Sequence, residues 1–149
     1  MFTITPAPDA IRTFNIVLNM PQATKSGIRQ GLYHFGSLLR DSIRIDMLKP
    51  KSGREYLVRR GGRRFRHIAA ADGETPANIS GKLRRSVDFK VSGANQMEFG
   101  YDSSVDYGKF LELGTRKMGA KPGLKNSIDK NKVKGINIIA QEINKRIQS

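Results

Sequence analysis

Cysteine and tryptophan are both absent from the 149 residues, and only 13 carboxylate side chains stand against 27 lysines and arginines. Without cysteine there is no disulfide scaffold, zinc ribbon, thiolate catalyst or iron–sulfur cluster. The shortage of carboxylates leaves a formal net charge of +14. That much self-repulsion points to anionic partners. Aromatic residues make up 7%, a thin supply for stacking on unpaired bases. No apolar run approaches the roughly 18 residues needed to cross a bilayer. The opening Met1-Phe2-Thr3-Ile4-Thr5-Pro6 has no basic region followed by an apolar stretch, so the chain is expected to be made and kept in the cytoplasm or in something assembled there, with no membrane partner.

What is present supports a folded body. Hydrophobic residues form 38% of the chain and are spread along it, which argues for one α+β domain over 1–149, with 48–82 as a flexible basic insertion. Pro6 and Pro8 break the brief alternation of Phe2 and Ile4, and Asp9 offers an N-cap to a short helix carrying Ile11, Phe14 and Leu18. From about Gln22 to Met47, Ile28, Leu32, Phe35, Leu39 and Ile43 step by three or four and predict a long amphipathic helix. Tyr56 to Arg60, Gly61-Gly62 and Arg63 to Ile68 read as a hairpin with a two-residue turn. Arg60 then faces Arg63, and Arg59 faces Arg64. Like charges directly opposed weaken a sheet, so this hairpin is predicted to be poorly formed and mobile alone and to order against an anion or an acidic neighbour.

Val87, Phe89 and Val91, then Met97, Phe99 and Tyr101, alternate with polar residues as two antiparallel strands turning over Ser92 to Gln96. Their apolar face needs a cover, and the long helix is the candidate. Tyr107 to Leu113 is predicted as a short helix ended by Gly114, and Gly119 to Gly123 as a loop. Ile136, Ile139, Ala140, Ile143 and Ile147 mark a C-terminal helix starting near Asn131.

The parts for catalysis are sparse. His34 lies near the long helix's apolar stripe and His67 in the arginine hairpin, so neither implies a shared metal or a nucleophile's base. Gly81-Lys82-Leu83 and Gly108-Lys109-Phe110 lack both the upstream glycine and the hydroxyl of a phosphate-binding loop. Asp102, Asp106 and Glu112 are close enough in sequence to consider as a nuclease's metal ligands. They read more simply as a turn, a helix cap and a salt-bridge partner, which leaves no catalytic, metal or cofactor site expected. The cations fall in two groups. Arg54, Arg59, Arg60, Arg63, Arg64 and Arg66 with Lys82, Arg84 and Arg85 form the first, suited to bidentate pairing with phosphate or carboxylate. Arg116, Lys117, Lys121, Lys125, Lys130, Lys132 and Lys134 form the second, a more diffuse set of charges.

The segment Tyr107-Gly108-Lys109-Phe110-Leu111-Glu112-Leu113-Gly114-Thr115-Arg116, continuing through Pro122 to Leu124, resembles the signature of the neck or tail-completion proteins of long-tailed double-stranded DNA bacteriophages. In that family Tyr-Ala-x-Phe-Leu-Glu-x-Gly-Thr precedes a basic, Ala, Arg, Pro, Phe run. Upstream, Lys51-Ser52-Gly53-Arg54, Gly73-Glu74-Thr75-Pro76-Ala77 and Ser80-Gly81-Lys82-Leu83-Arg84-Arg85-Ser86 are similar to further elements of the family, and the likeness covers about 21 to 130. Gly108 stands where the family usually has Ala, Ser80 for Thr, Lys82 and Lys121 for Arg, and Gly123 for Phe. The resemblance implies a virion protein without enzyme activity or cofactor, built as a long helix against a small sheet. It also implies a homo-oligomeric ring, often of six, that joins tail-tube or terminator proteins to head-connector proteins around a channel for duplex DNA. In such a subunit Tyr107, Phe110 and Leu111 are expected to face the sheet, and Glu112 to pair with Arg116 or with a neighbouring subunit. The alternative from another class is a sequence-nonspecific nucleic-acid-binding protein.

Overall fold

The computed structural model describes residues 2–3, 21–93 and 95–148. The short helix expected after Asp9 lies outside them. The chain is α+β, as the periodicities predict, with elements in the order β1 (Phe2–Thr3), α1 (Gln22–Asp46), β2 (Glu55–Arg60), β3 (Arg63–Ile68), α2 (Lys82–Ser86), β4 (Val87–Ser92), β5 (Gln96–Tyr101), α3 (Gly108–Leu113) and α4 (Gly123–Ile147). Strands β1, β5 and β4 form one sheet in that order, and β2 with β3 forms a separate antiparallel hairpin. These elements gather into two compact units.

The first unit holds the described residues up to Arg40, those of Asp88–Gly100, and those from Asn131 on. Here α1 lies against β4. The Phe89 ring occupies the space beside Gly36, Tyr33 meets the same ring edge-on at 5.3 Å, and the Arg40 guanidinium sits 5.3 Å over it. Leu39 and Phe99 are fully buried. The stripe is shifted from the predicted one. Ile28, Leu32 and Phe35 are only half-buried, while Thr24, Gly27, Gly31 and Gly36 point inward. The reason is close helix packing: a Cβ on Gly27 would lie 2.8 Å from the Ile143 Cα, and one on Gly31 2.6 Å from the Ile139 Cα. Of the predicted α4 stripe, Ile139 and Ile143 therefore pack on glycine, whereas Ile136, Ala140 and Ile147 are exposed.

The second unit holds Asp41–Val87 and Tyr101–Lys130. Ile43, Met47, Ala70, Leu83, Val87, Tyr101, Val105 and Leu124 are its buried apolar residues. Helix α2, one turn long and not anticipated, is closed at its C-terminal end by Arg44. That side chain donates to the carbonyls of Arg84 at 3.2 Å, Arg85 at 3.4 Å and Val87 at 2.8 Å, supplying a cation where the helix leaves unpaired acceptors. Helix α4 begins at Gly123, well before Asn131. Within this unit it buries Leu124 and Ser127, and beyond Lys130, in the first unit, it buries Asn131 and Gly135, a seam of small and polar residues that an apolar stripe does not reveal. Pro122 directly precedes the helix and accepts from the Asn126 amide at 2.9 Å.

Candidate functional site

The arginine hairpin takes the register that its turn dictates. Six residue pairs run from Glu55↔Ile68 to Arg60↔Arg63, with Arg59↔Arg64 next to the end. Gly61 and Gly62 both have positive φ, 57° and 78°, as a type I′ turn requires. The hairpin is formed with both arginine pairs at its exposed tip, where water screens their repulsion, and the Tyr56–His67 ring pair near its base at 5.3 Å. Main-chain bonds continue beyond the base, from the Gly53 amide to Ala69 O and from the Ala69 amide to Arg54 O, each 3.0 Å.

Because side chains alternate across a sheet, Arg60 and Arg63 share one face with Val58, Phe65, Tyr56 and His67, and Arg59 and Arg64 share the other with Leu57 and Arg66. The first face borders a cavity of about 430 Å³ lined by Tyr56, His67, Pro76, Ile79, Leu83, Leu111 and Met118 among others. There Arg60 donates to Ile79 O at 3.4 Å, and the His67 Nε2 and Asn78 Oδ1 atoms are buried with no protein partner among the described residues. On the second face Arg66 reaches Glu55 at 3.3 Å, an exposed pair worth at most about 1 kcal/mol. Arg59, Arg63 and Arg64 meet no carboxylate among the described residues. Arg54, Lys82 and Arg85 are exposed, and Arg84 is half-buried with its Nε lacking a partner among the described residues.

Three of the seven cations of the second group meet acid. Lys121 meets Asp72 at 3.4 Å and Lys125 meets Asp129 at 2.6 Å. Lys130, with Lys49, pairs with Asp46 at 3.2 and 2.6 Å. Partial burial opposes ionisation of Asp46, and the two ammonium groups more than offset it, holding its pKa below the usual 3.8. At the hairpin tip, by contrast, none of the four arginines meets a carboxylate among the described residues.

The Tyr107–Leu124 segment is built from its inside outward. Gly108 faces the Tyr101 ring so closely that a Cβ would lie 2.5 Å from Cδ2, which accounts for glycine here. With Gly108 and Glu112 turned inward, Tyr107 and Phe110 are 44% and 47% exposed and Leu113 is 72% exposed. Leu111 alone of the expected sheet-facing trio is half-buried. Gly114, at φ 75° and ψ 179°, occupies a region essentially confined to glycine. Thr115 closes the following turn: its amide donates to Met118 O at 2.8 Å, and its Oγ1 accepts from the Lys117 amide at 3.3 Å. Arg116 and Lys117 are exposed at that turn.

Glu112 does not pair with Arg116. Its Oε1 accepts from the Tyr101 hydroxyl at 2.9 Å and from the Leu124 amide at 2.8 Å, placing a carboxylate on the N-terminus of α4. Burial pushes the Glu112 carboxyl above its usual 4.5, although the Leu124 amide, the Tyr101 hydroxyl and the Lys125 and Gly123 amides all favour the charged form. Burial and the adjacent carboxylate likewise raise the Tyr101 hydroxyl. Sequence spacing hides this because the capping residue and its helix belong to different elements.

The imagined carboxylate trio is not assembled. Asp102 accepts from the Ser104 amide at 2.8 Å in a local turn, Asp106 is exposed, and Glu112 is buried in its own bonds. No group of three metal-ligating side chains occurs among the described residues. His34 is bonded to Gln30 at 2.9 Å and lies 3.6 Å from Glu142. No protein-family model, curated protein or solved structure matches this chain.

Proposed function

We propose that this chain is a non-enzymatic structural protein of a phage particle, of the neck or tail-completion type, that assembles as a ring for tail completion and head–tail joining. One observation carries the reading, the division of labour within Tyr107–Leu124. Gly108, Glu112 and Leu124 are spent on the fold, and Tyr107, Phe110 and Leu113 stand exposed at helical spacing. An apolar row left open on a strongly charged protein calls for a cover. A repeated head-to-tail contact between copies supplies one and closes into a ring when its rotation permits. Partners are then further copies of the chain, tail-tube or terminator proteins and head-connector proteins, within the virion and, during assembly, in the host cytoplasm.

The test is light scattering with negative-stain microscopy of the purified chain, alone and with tail-tube components. Rings are expected in at least one condition, and Phe110→Asp combined with Leu113→Asp is expected to abolish them. A monomer in every condition, binding no tail component, removes the reading. A second reading, a sequence-nonspecific nucleic-acid-binding protein with no place in a particle, is favoured by the carboxylate-free arginine tip. Nanomolar binding of duplex near physiological salt without any ring selects it.

A further inference from the structure

We infer that the β2–β3 hairpin is a ribbon that enters a groove of double-stranded DNA, the Arg59/Arg64 pair meeting the phosphates of one strand and the Arg60/Arg63 pair those of the other. The inference deepens the proposed function, on which its setting in a DNA-conducting ring rests, while the contact itself stands on the hairpin alone.

Register comes first. The last two residue pairs before the turn are both Arg–Arg pairs, and alternation places one pair on each face of the ribbon. A flat anionic partner, such as an acidic protein surface or a lipid sheet, engages one face and leaves the other pair in water. A duplex groove has phosphate on both walls. The major groove, about 12 Å wide and 8.5 Å deep, admits a two-stranded ribbon. At about 3.4 Å per residue, the two arginine pairs and the turn span roughly that depth. Every residue from Arg59 to Arg64 is exposed, and a Cβ at Gly61 or Gly62 would have nothing within 4 Å. The turn is therefore unencumbered by the rest of its own chain, and among the tip arginines Arg60 has one long bond to give up, its 3.4 Å donation to Ile79 O.

Charge and backbone agree with this. Each arginine pair is a cross-strand repulsion in the free protein, and a phosphate oxygen between two guanidiniums converts it into charge-assisted hydrogen bonds. Binding is thereby coupled to firming of the hairpin. The leading residues, Gly61 and Gly62, carry no side chain, and the four arginines beside them are spent on phosphate, so base edges go unread. Such a contact holds duplex of any sequence through its backbone alone, which suits DNA that must move past it.

Fluorescence anisotropy of the full-length protein on two labelled 24-base-pair duplexes of unrelated sequence, titrated over a range of sodium chloride, tests the inference. Both duplexes are expected to bind alike. Arg59→Ala with Arg64→Ala, and separately Arg60→Ala with Arg63→Ala, are each expected to reduce the slope of log affinity against log salt by about 1.8, at roughly 0.9 per phosphate contact. Arg116→Ala with Lys117→Ala removes the same charge from another exposed turn and is expected to change the slope by less than half as much. Removing like charges spares the glycine turn, and circular dichroism melting checks that each variant folds.

Equal slope changes for all three double variants would reduce the effect to bulk charge and overturn the inference, as would an effect from only one hairpin face or a failure to bind duplex. If hairpin variants bind duplex normally but lose ring formation, the tip is a protein contact and the inference falls while the joining function stands. If the slopes behave as expected but no ring or tail complex forms, the groove contact stands and the joining function falls.

Discussion

Glu112 accepts two hydrogen bonds inside the second unit, from Tyr101 and from the first turn of α4. Truncation to alanine leaves a buried hydroxyl and a helix-terminal amide without their acceptor, each worth about 1–3 kcal/mol. Glu112→Ala is accordingly expected to destabilise the protein by about 2–6 kcal/mol in urea unfolding, and Glu112→Gln, which keeps one acceptor oxygen, by less. Protonation supplies a second signature. The folded-state pKa lies above the usual 4.5, so the native protein holds this proton more tightly than the unfolded chain. Its contribution to stability is greatest below 4.5 and declines as the pH rises through the raised value. The stability difference between wild type and Glu112→Gln is therefore expected to shift against the wild type between pH 4 and pH 7. An unchanged difference would show that the carboxyl titrates as in the unfolded chain. Asp46 behaves oppositely: its lowered pKa contributes stability above 3.8 that is lost as the pH falls through the lowered value. Arg44 is another residue whose work spans elements, since Arg44→Ala strips three carbonyls around the end of α2 of a charged donor. A loss of about 1–3 kcal/mol is expected, with incomplete recovery in Arg44→Lys because an ammonium lacks the planar fork.

At the scale of elements, α1 and α4 approach each other through glycine. A methyl on Gly31 would have to share space with the Ile139 Cα at 2.6 Å, a main-chain atom that cannot rotate away. Alanine gains about 1 kcal/mol of helix propensity over glycine, and overpacking costs about 1–3 kcal/mol, so Gly31→Ala is expected to lower stability on balance. A rise in melting temperature would mean the helices part freely. The hairpin offers a different contrast. Its strands are exposed on most of their length, whereas β5 buries Met97, Phe99 and Tyr101. Hydrogen exchange is expected to be faster over 56–67 than over 97–101, and equal protection would contradict the weak-hairpin expectation. The hairpin's register was legible because a Gly-Gly turn between two apolar-basic runs is local information. The start of α4 was not, because Leu124, Ser127, Asn131 and Gly135 carry no apolar period and their burial depends on what packs against them.

For the whole molecule the governing quantity is charge. With +14 net and 27 cations to 13 anions, mean electrostatic energy is repulsive, and each ion pair named above has at least one exposed partner. Screening acts on repulsion over distances near the Debye length, about 10 Å at 0.1 M salt. Raising sodium chloride from low to moderate concentration is expected to raise the melting temperature by a few degrees, at about 4 °C or less per kcal/mol for a chain of this size. A fall in scanning calorimetry would mean that the ion pairs outweigh the repulsion.

The amino-acid order alone determined the α+β class, the long first helix, the meander of β4 and β5 and the pairing of arginines across the hairpin, because period, turn chemistry and like-charge opposition act between near neighbours. Tertiary structure decided which cations keep their acid partners, that Glu112 faces inward onto a helix end, and that Tyr107 and Phe110 face outward. Those outcomes depend on distances between residues far apart in the chain. A buried carboxylate or a glycine seam is specified only by the surface brought against it.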